Sequence, residues 1–85
     1  MQKLKADQNI GPALRRLRKE KQLTQDMLVA RLQTGYGLVY TRATYSRFET
    51  GELNIPISLL TALKDLYQCS YDDFFEGLRP GGREA

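Results

Sequence analysis

Two short amphipathic segments follow one another near the middle of this 85-residue chain, LTQDMLVARL over 23–32 and TRATYSRFETG over 41–51. The second constrains the fold most. At about 100° per residue from Arg42, Ser46 falls near 40°, Ala43 near 100° and Arg47 near 140°, whereas Phe48 and Tyr45 fall near 240° and 300°. One face is short, polar and cationic; the other is aromatic. A helix held by its rings, with another helix before it, has the shape that a DNA major groove accepts.

Composition narrows the classes further. Eighty-five residues make one domain with a core near the lower size limit for folding without a staple. Cys69 has no second cysteine to pair with, which fits a reducing cytoplasm, and there is no histidine. No apolar run approaches a membrane span, and the opening MQKLKADQN lacks the apolar stretch of a signal peptide. With one cysteine in apolar company and carboxylates scattered over capping positions, no nucleophile, base or metal cluster can be assembled, so neither enzyme activity, cofactor, metal nor small-molecule ligand is expected.

Charge is uneven. Residues 1–50 hold ten Lys and Arg against Asp7, Glu20, Asp26 and Glu49, a surplus of six positive; residues 51–85 hold three against six, a surplus of three negative. RRLRKEK over 15–21 alone reads as a solvated helix surface. Together with the cationic face at 42–47, it marks the N-terminal half as the side for phosphate.

Read for elements, the chain predicts an all-α bundle of five short helices. Asn9 can cap the first, with Pro12 in its first turn, Ile10, Leu14 and Leu17 on one face, and an end near Lys21 or Gln22. Thr24 caps a second helix over 25–32 that turns Leu28, Val29 and Leu32 inward; Met27 stands where a capping-box glutamate would be. Thr41 caps the third, Tyr40 staples onto Tyr45, and Gly51 stops it. Pro56 opens a fourth helix that runs to about Tyr67 and buries Ile57, Leu60, Leu63 and Tyr67. Ser70 and Asp73 form a capping box for a final short helix bearing Phe74 and Phe75, and Cys69 reads as a small core residue. The expected organisation is a flexible arm over 1–8, the helical domain over 9–77 and a disordered tail over 78–85.

The LTQ opening at 23–25, the S-R-aromatic-E-x-G close at 46–51 and the I-P-I-x-L-L start at 55–60 together resemble the helix-turn-helix family of the lambdoid phage repressors and Cro, often called the Xre family. The similarity runs from about Ile10 to Phe75. It implies a compact lambda repressor-like bundle of five helices that acts as a sequence-specific transcriptional regulator, a repressor, in the cytoplasm on the nucleoid. The DNA partner is a palindromic operator, bound by a homodimer with the helix near 41–50 in the major groove. Family members also serve as antitoxins, so the alternative is a module whose main partner is another protein; a missing cationic face would favour it, and here the face is present.

The resemblance also assigns residues. Arg42 and Arg47 match base-reading positions, and a guanidinium can pair bidentately with guanine O6 and N7. Ala43 can meet a thymine methyl and Ser46 a base edge, while Thr44 and Thr50 flank the face as phosphate candidates. Gln25 matches a glutamine that hydrogen-bonds phosphate. Arg18 and Glu49 match a pair joining the first helix to the third, from which a spare N–H of Arg18 can meet phosphate. Tyr67, Tyr71, Phe74 and Phe75 are the expected dimer surface, because they lie in the acidic half and exceed the aromatic needs of a small core.

Three departures bear on the angle between the second and third helices. Val29 stands where Ala or Gly is usual, Gln33 replaces the turn glycine, and QTGYGLVY makes an eight-residue connection over 33–40. Tyr36 or Tyr40 could lie on the sugar-phosphate backbone, or Leu38, Val39 and Tyr40 could fold back over the space beside Val29. The second reading is favoured, since aliphatic residues beside DNA would waste apolar area.

Overall fold

The computed structural model describes residues 10–75, which form five helices and no strand: α1 (Gly11–Glu20), α2 (Gln25–Tyr36), α3 (Arg42–Thr50), α4 (Ile57–Tyr67) and α5 (Tyr71–Phe74). The arm at 1–8, the Asn9 cap and the tail at 78–85 lie outside the described residues. Ile10 occupies the cap position of α1 and offers no side-chain hydrogen bond, while Pro12 sits in the first turn, where a missing N–H goes unnoticed.

Ala13, Leu14, Leu17 and Arg18 form the buried stripe of α1. The helix ends with Gln22 in the left-handed region at φ 59°, and the Leu23 N–H returns to the Arg18 carbonyl at 3.2 Å. This closure turns Leu23 into the core. Thr24 then caps α2, its hydroxyl oxygen accepting from the Met27 N–H at 3.1 Å.

The second helix is longer than its sequence pattern indicates. It continues one turn past Leu32, through Gly35, and stops only at Gly37, whose φ of 69° suits glycine. Half of the expected eight-residue loop is therefore helical, and the connection to α3 is short. Val29, Leu38 and Tyr40 are half-buried against the core, whereas Val39 points to solvent. The Tyr40 ring meets Phe48 edge-on at 5.6 Å, one turn beyond the expected Tyr45.

Thr41 caps α3 through the Thr44 N–H at 3.1 Å, and Gly51 ends it at φ 87°. Tyr45 and Phe48 bury the aromatic face of this helix against α1 and α2. In α4 the inward stripe is Leu59, Ala62, Leu63 and Tyr67; Leu60 is half-buried and Ile57 is 75% exposed, which corrects the expected register by part of a turn. Pro56 precedes the helix at ψ 152° instead of standing in its first turn.

Asp73 accepts from the Ser70 N–H at 3.0 Å and from its hydroxyl at 3.3 Å, holding the start of α5. Phe74 closes the core there, and the Arg16 guanidinium reaches the Asp73 carbonyl at 3.0 Å to tie α5 to α1. Cys69 is half-buried against the same core, and burial pushes its thiol above the ordinary value.

Candidate nucleic-acid interface

Burial of Tyr45 and Phe48 fixes the rotation of α3, so its opposite side must face outward. Arg42, Ala43 and Arg47 are exposed there, with Ser46 and Thr44 half-buried at the margin and Thr50 at the end. The Thr44 hydroxyl oxygen accepts from the Thr41 hydroxyl at 3.1 Å, leaving its own proton available. Thr50 instead donates to the Arg47 carbonyl at 3.2 Å.

Both arginines of this face lean on carboxylates. Arg47 Nε donates to Glu52 Oε1 at 3.1 Å, and Arg42 Nε lies 3.6 Å from Asp26 Oδ1. These partners are missing from the sequence-based set of site residues. Glu52 follows Arg47 by five positions across a helix end, and Asp26 belongs to another helix, so neither registers as a helical i, i+4 partner.

Behind this face lies a desolvated joint. Arg18, only 7% exposed, forks onto Glu49, with Nε to Oε2 at 2.7 Å and Nη2 to Oε1 at 3.0 Å, while Nη1 donates to the Leu23 carbonyl at 2.9 Å. The pair links the last turn of α1 to the last turn of α3. With all three nitrogens turned inward, Arg18 does not present the spare N–H expected for phosphate.

Gln25 is held in turn. Its Nε2 donates to Glu49 Oε1 at 3.0 Å, which fixes the amide at the first turn of α2 and leaves one N–H for an outside acceptor. Backbone N–H groups and the positive end of the helix dipole adjoin it. An open cleft at this point is lined by Lys19, Gln22, Thr24, Gln25, Asp26 and Arg42, with Arg18 at its inner wall.

The electrostatics of the joint are set by hydrogen bonds that outweigh burial. Burial pushes the Glu49 carboxyl up, but the hydrogen bonds from Arg18 and Gln25 hold it below the usual carboxylate range. Hydrogen bonding to Glu49 raises Arg18 above its ordinary value, against the opposing effect of burial. The buried hydroxyls of Tyr45 and Tyr67 have no hydrogen-bond partner among the described residues, although both lie within electrostatic reach of the pair. Burial pushes both phenols upward.

The expected dimer surface is divided. Tyr67 and Phe74 are fully buried, so they serve the core and cannot meet a second copy; Tyr71 and Phe75 are exposed. The Lys64 ammonium sits 5.3 Å from the centre of the Tyr71 ring. Tyr36, a candidate for the sugar-phosphate backbone, instead donates to Asp65 Oδ2 at 2.5 Å and joins α2 to α4. That bond to Asp65, with a small contribution from burial, raises the Tyr36 phenol above its ordinary value.

Among the described residues no group of three or more metal-ligating side chains comes together, and no helix is long and apolar enough to cross a membrane. No curated protein and no solved structure matches the chain. A family model described as a helix-turn-helix domain matches residues 10–74, which span all five helices. Such domains are typically non-enzymatic and point to a DNA-binding regulator. With α2 and α3 as the two helices of the motif, the chain belongs to this helix-turn-helix family, of the Xre and Cro-like type.

Proposed function

We propose that this protein is a sequence-specific transcriptional repressor that lays α3 in the major groove of a palindromic operator and binds it as a homodimer. The observation that carries the reading is the orientation of α3, whose buried Tyr45 and Phe48 leave Arg42, Ala43 and Arg47 on an open cationic face. Arg42 and Arg47 read guanine, Ala43 meets a thymine methyl, and Ser46 touches a base edge. Gln25, held by Glu49, positions the backbone phosphate together with Thr44, and Arg18 supports both from within. Thr50 is the weakest of the phosphate candidates, since its proton is already donated. The protein acts in the cytoplasm, on the nucleoid.

One recognition helix spans only a few base pairs, so a two-fold pair is needed for a genomic address, with the helices about 34 Å apart. Tyr71 and Phe75 remain the proposed contact, being the exposed members of the aromatic set. Selection from random duplexes tests the reading. A palindrome should emerge, with about six to eight phosphate contacts per dimer and a slope of log K against log salt of about −5 to −7. Failure to bind any duplex, or salt-insensitive binding, would refute it. Sedimentation at saturation reports the stoichiometry, and one protomer per duplex would refute the dimer. Charged substitution at Phe75 should weaken self-association with the fold intact.

A further inference from the structure

Both guanidinium groups on the open face of α3 have a carboxylate beside Nε, Arg47 in a hydrogen bond and Arg42 in a longer charge contact. Glu52 accepts from Nε of Arg47 at 3.1 Å, and Asp26 Oδ1 approaches Nε of Arg42 at 3.6 Å. Among the described residues the Nη groups of these two arginines form no hydrogen bond. The carboxylates come from opposite ends of the reading face, one from the first turn of α2 and one from the loop after α3.

A guanidinium that reads guanine end-on uses Nη1 and Nη2 for O6 and N7, and its Nε stays free for a carboxylate beside it. A flexible arginine pays rotamer entropy when it adopts that pose, and one already oriented loses less. Lys19, Lys21 and Arg31, which are exposed and off this face, have no ion-pair partner among the described residues. Arg16 has an exposed partner too, but its pair with Glu20 at 3.6 Å is an i, i+4 contact within α1, whereas Arg42 is paired across two helices and Arg47 across a helix end.

We propose that Asp26 and Glu52 are positioning residues for specificity, Glu52 by its hydrogen bond to Nε of Arg47 and Asp26 by its charge beside Nε of Arg42, with the Nη fork of each arginine presented to guanine. This rests on the reading of α3 as the recognition helix. The same carboxylates disfavour the wrong DNA in two ways. A guanidinium held by its Nε cannot swing to a phosphate without breaking its pair, and a carboxylate beside a phosphate that finds no matched base nearby is repelled.

Asp26→Asn and Glu52→Gln test this, each made in the wild-type chain and in the background lacking its arginine, Arg42→Ala or Arg47→Ala. Affinities for the selected palindrome and for a random-sequence duplex are measured in parallel. Loss of either carboxylate should tighten the random duplex several-fold, by roughly the effect of one added phosphate contact, without tightening the palindrome. Discrimination then falls on the order of fivefold. In the arginine-to-alanine background the same substitution should leave the ratio unchanged, because there is nothing left to position. Equal tightening on both DNAs, or an unchanged effect without the arginine, would mean a general charge effect and overturn the proposal. A wild-type chain that binds the palindrome but gives this result overturns the positioning role alone; one that binds no duplex overturns the recognition helix and this inference together.

Discussion

Two ion pairs in this molecule have the same chemical partners and opposite surroundings. Arg18 and Glu49 have side chains 9% and 5% exposed and meet through a two-bond fork; Arg47 and Glu52, at 57% and 60%, meet through one bond in open solvent. Burial makes the first pair obligatory, since either ion alone would be stranded away from water. Exposure leaves the second worth about 0–1 kcal/mol to the fold, since water competes for both partners, so its effect falls on the direction of Arg47 and not on stability. The interior pair therefore belongs to the architecture, and the outer pair adds little to it.

The largest expected effect breaks the comparison at the buried end. Arg18→Ala or Glu49→Ala should destabilise the fold by about 3–5 kcal/mol in denaturant or thermal melts. A change of a few tenths would place the pair with the exposed ones. The acid limb carries the same information. Glu49 has a depressed folded-state pKa, so its contribution is fully present above the ordinary carboxylate range and is lost as pH falls through the lower folded value. Glu49→Gln should flatten that part of the stability profile.

Next in size are the open-face arginines. Arg42→Ala and Arg47→Ala should each weaken operator binding by about 1–3 kcal/mol and relax preference at one base pair per half-site. Their melting transitions should move little, within about 0.5 kcal/mol of stability. Retained sequence preference would show that α3 reads through other side chains. Gln25→Ala should weaken all sequences alike, which a selection experiment separates from loss of preference.

The smallest effect sharpens the comparison from the backbone side. Gln22 brings Leu23 round to Arg18 from a left-handed conformation that suits glycine better. Gln22→Gly should raise stability by up to about 1 kcal/mol while keeping the fork onto Glu49. Gln68 has the same conformation after α4, but its side-chain amide donates to the Asp65 carbonyl at 2.8 Å. Gln68→Gly should therefore gain less, and equal gains in chemical melts would show that this bond contributes nothing.

Much of the fold was legible because its signals are local. Thr24, Thr41 and Gly51 act on their own backbone neighbours, so three helix ends followed from residue type alone. The end of α2 did not, because TGYG reads as a loop until the turn before it is seen to continue to Gly37. In α4, Ile57–Leu60 and Leu59–Ala62 give two competing apolar stripes that share Leu63 and Tyr67. Only packing against the other helices chooses between them. Aromatic count misled the search for a dimer surface, since Tyr67 and Phe74 fill the interior. At the candidate site, the polarity of α3 came from periodicity and the partnership of Arg18 with Glu49 from family likeness. Asp26 and Glu52 required three dimensions.

The fork between Arg18 and Glu49 also bears on the lifetime of the native state. Its halves are 31 residues apart, on helices separated by the whole of α2. Closing it requires α3 to dock on α1 and both ions to lose their water, and a contact formed after the barrier predicts that Glu49→Ala speeds unfolding and leaves the folding rate unchanged in stopped-flow kinetics. A contact made after the rate-limiting barrier slows escape from the folded state without hastening arrival. On that prediction the joint beneath the open face of α3 is a latch whose strength is measured in unfolding time.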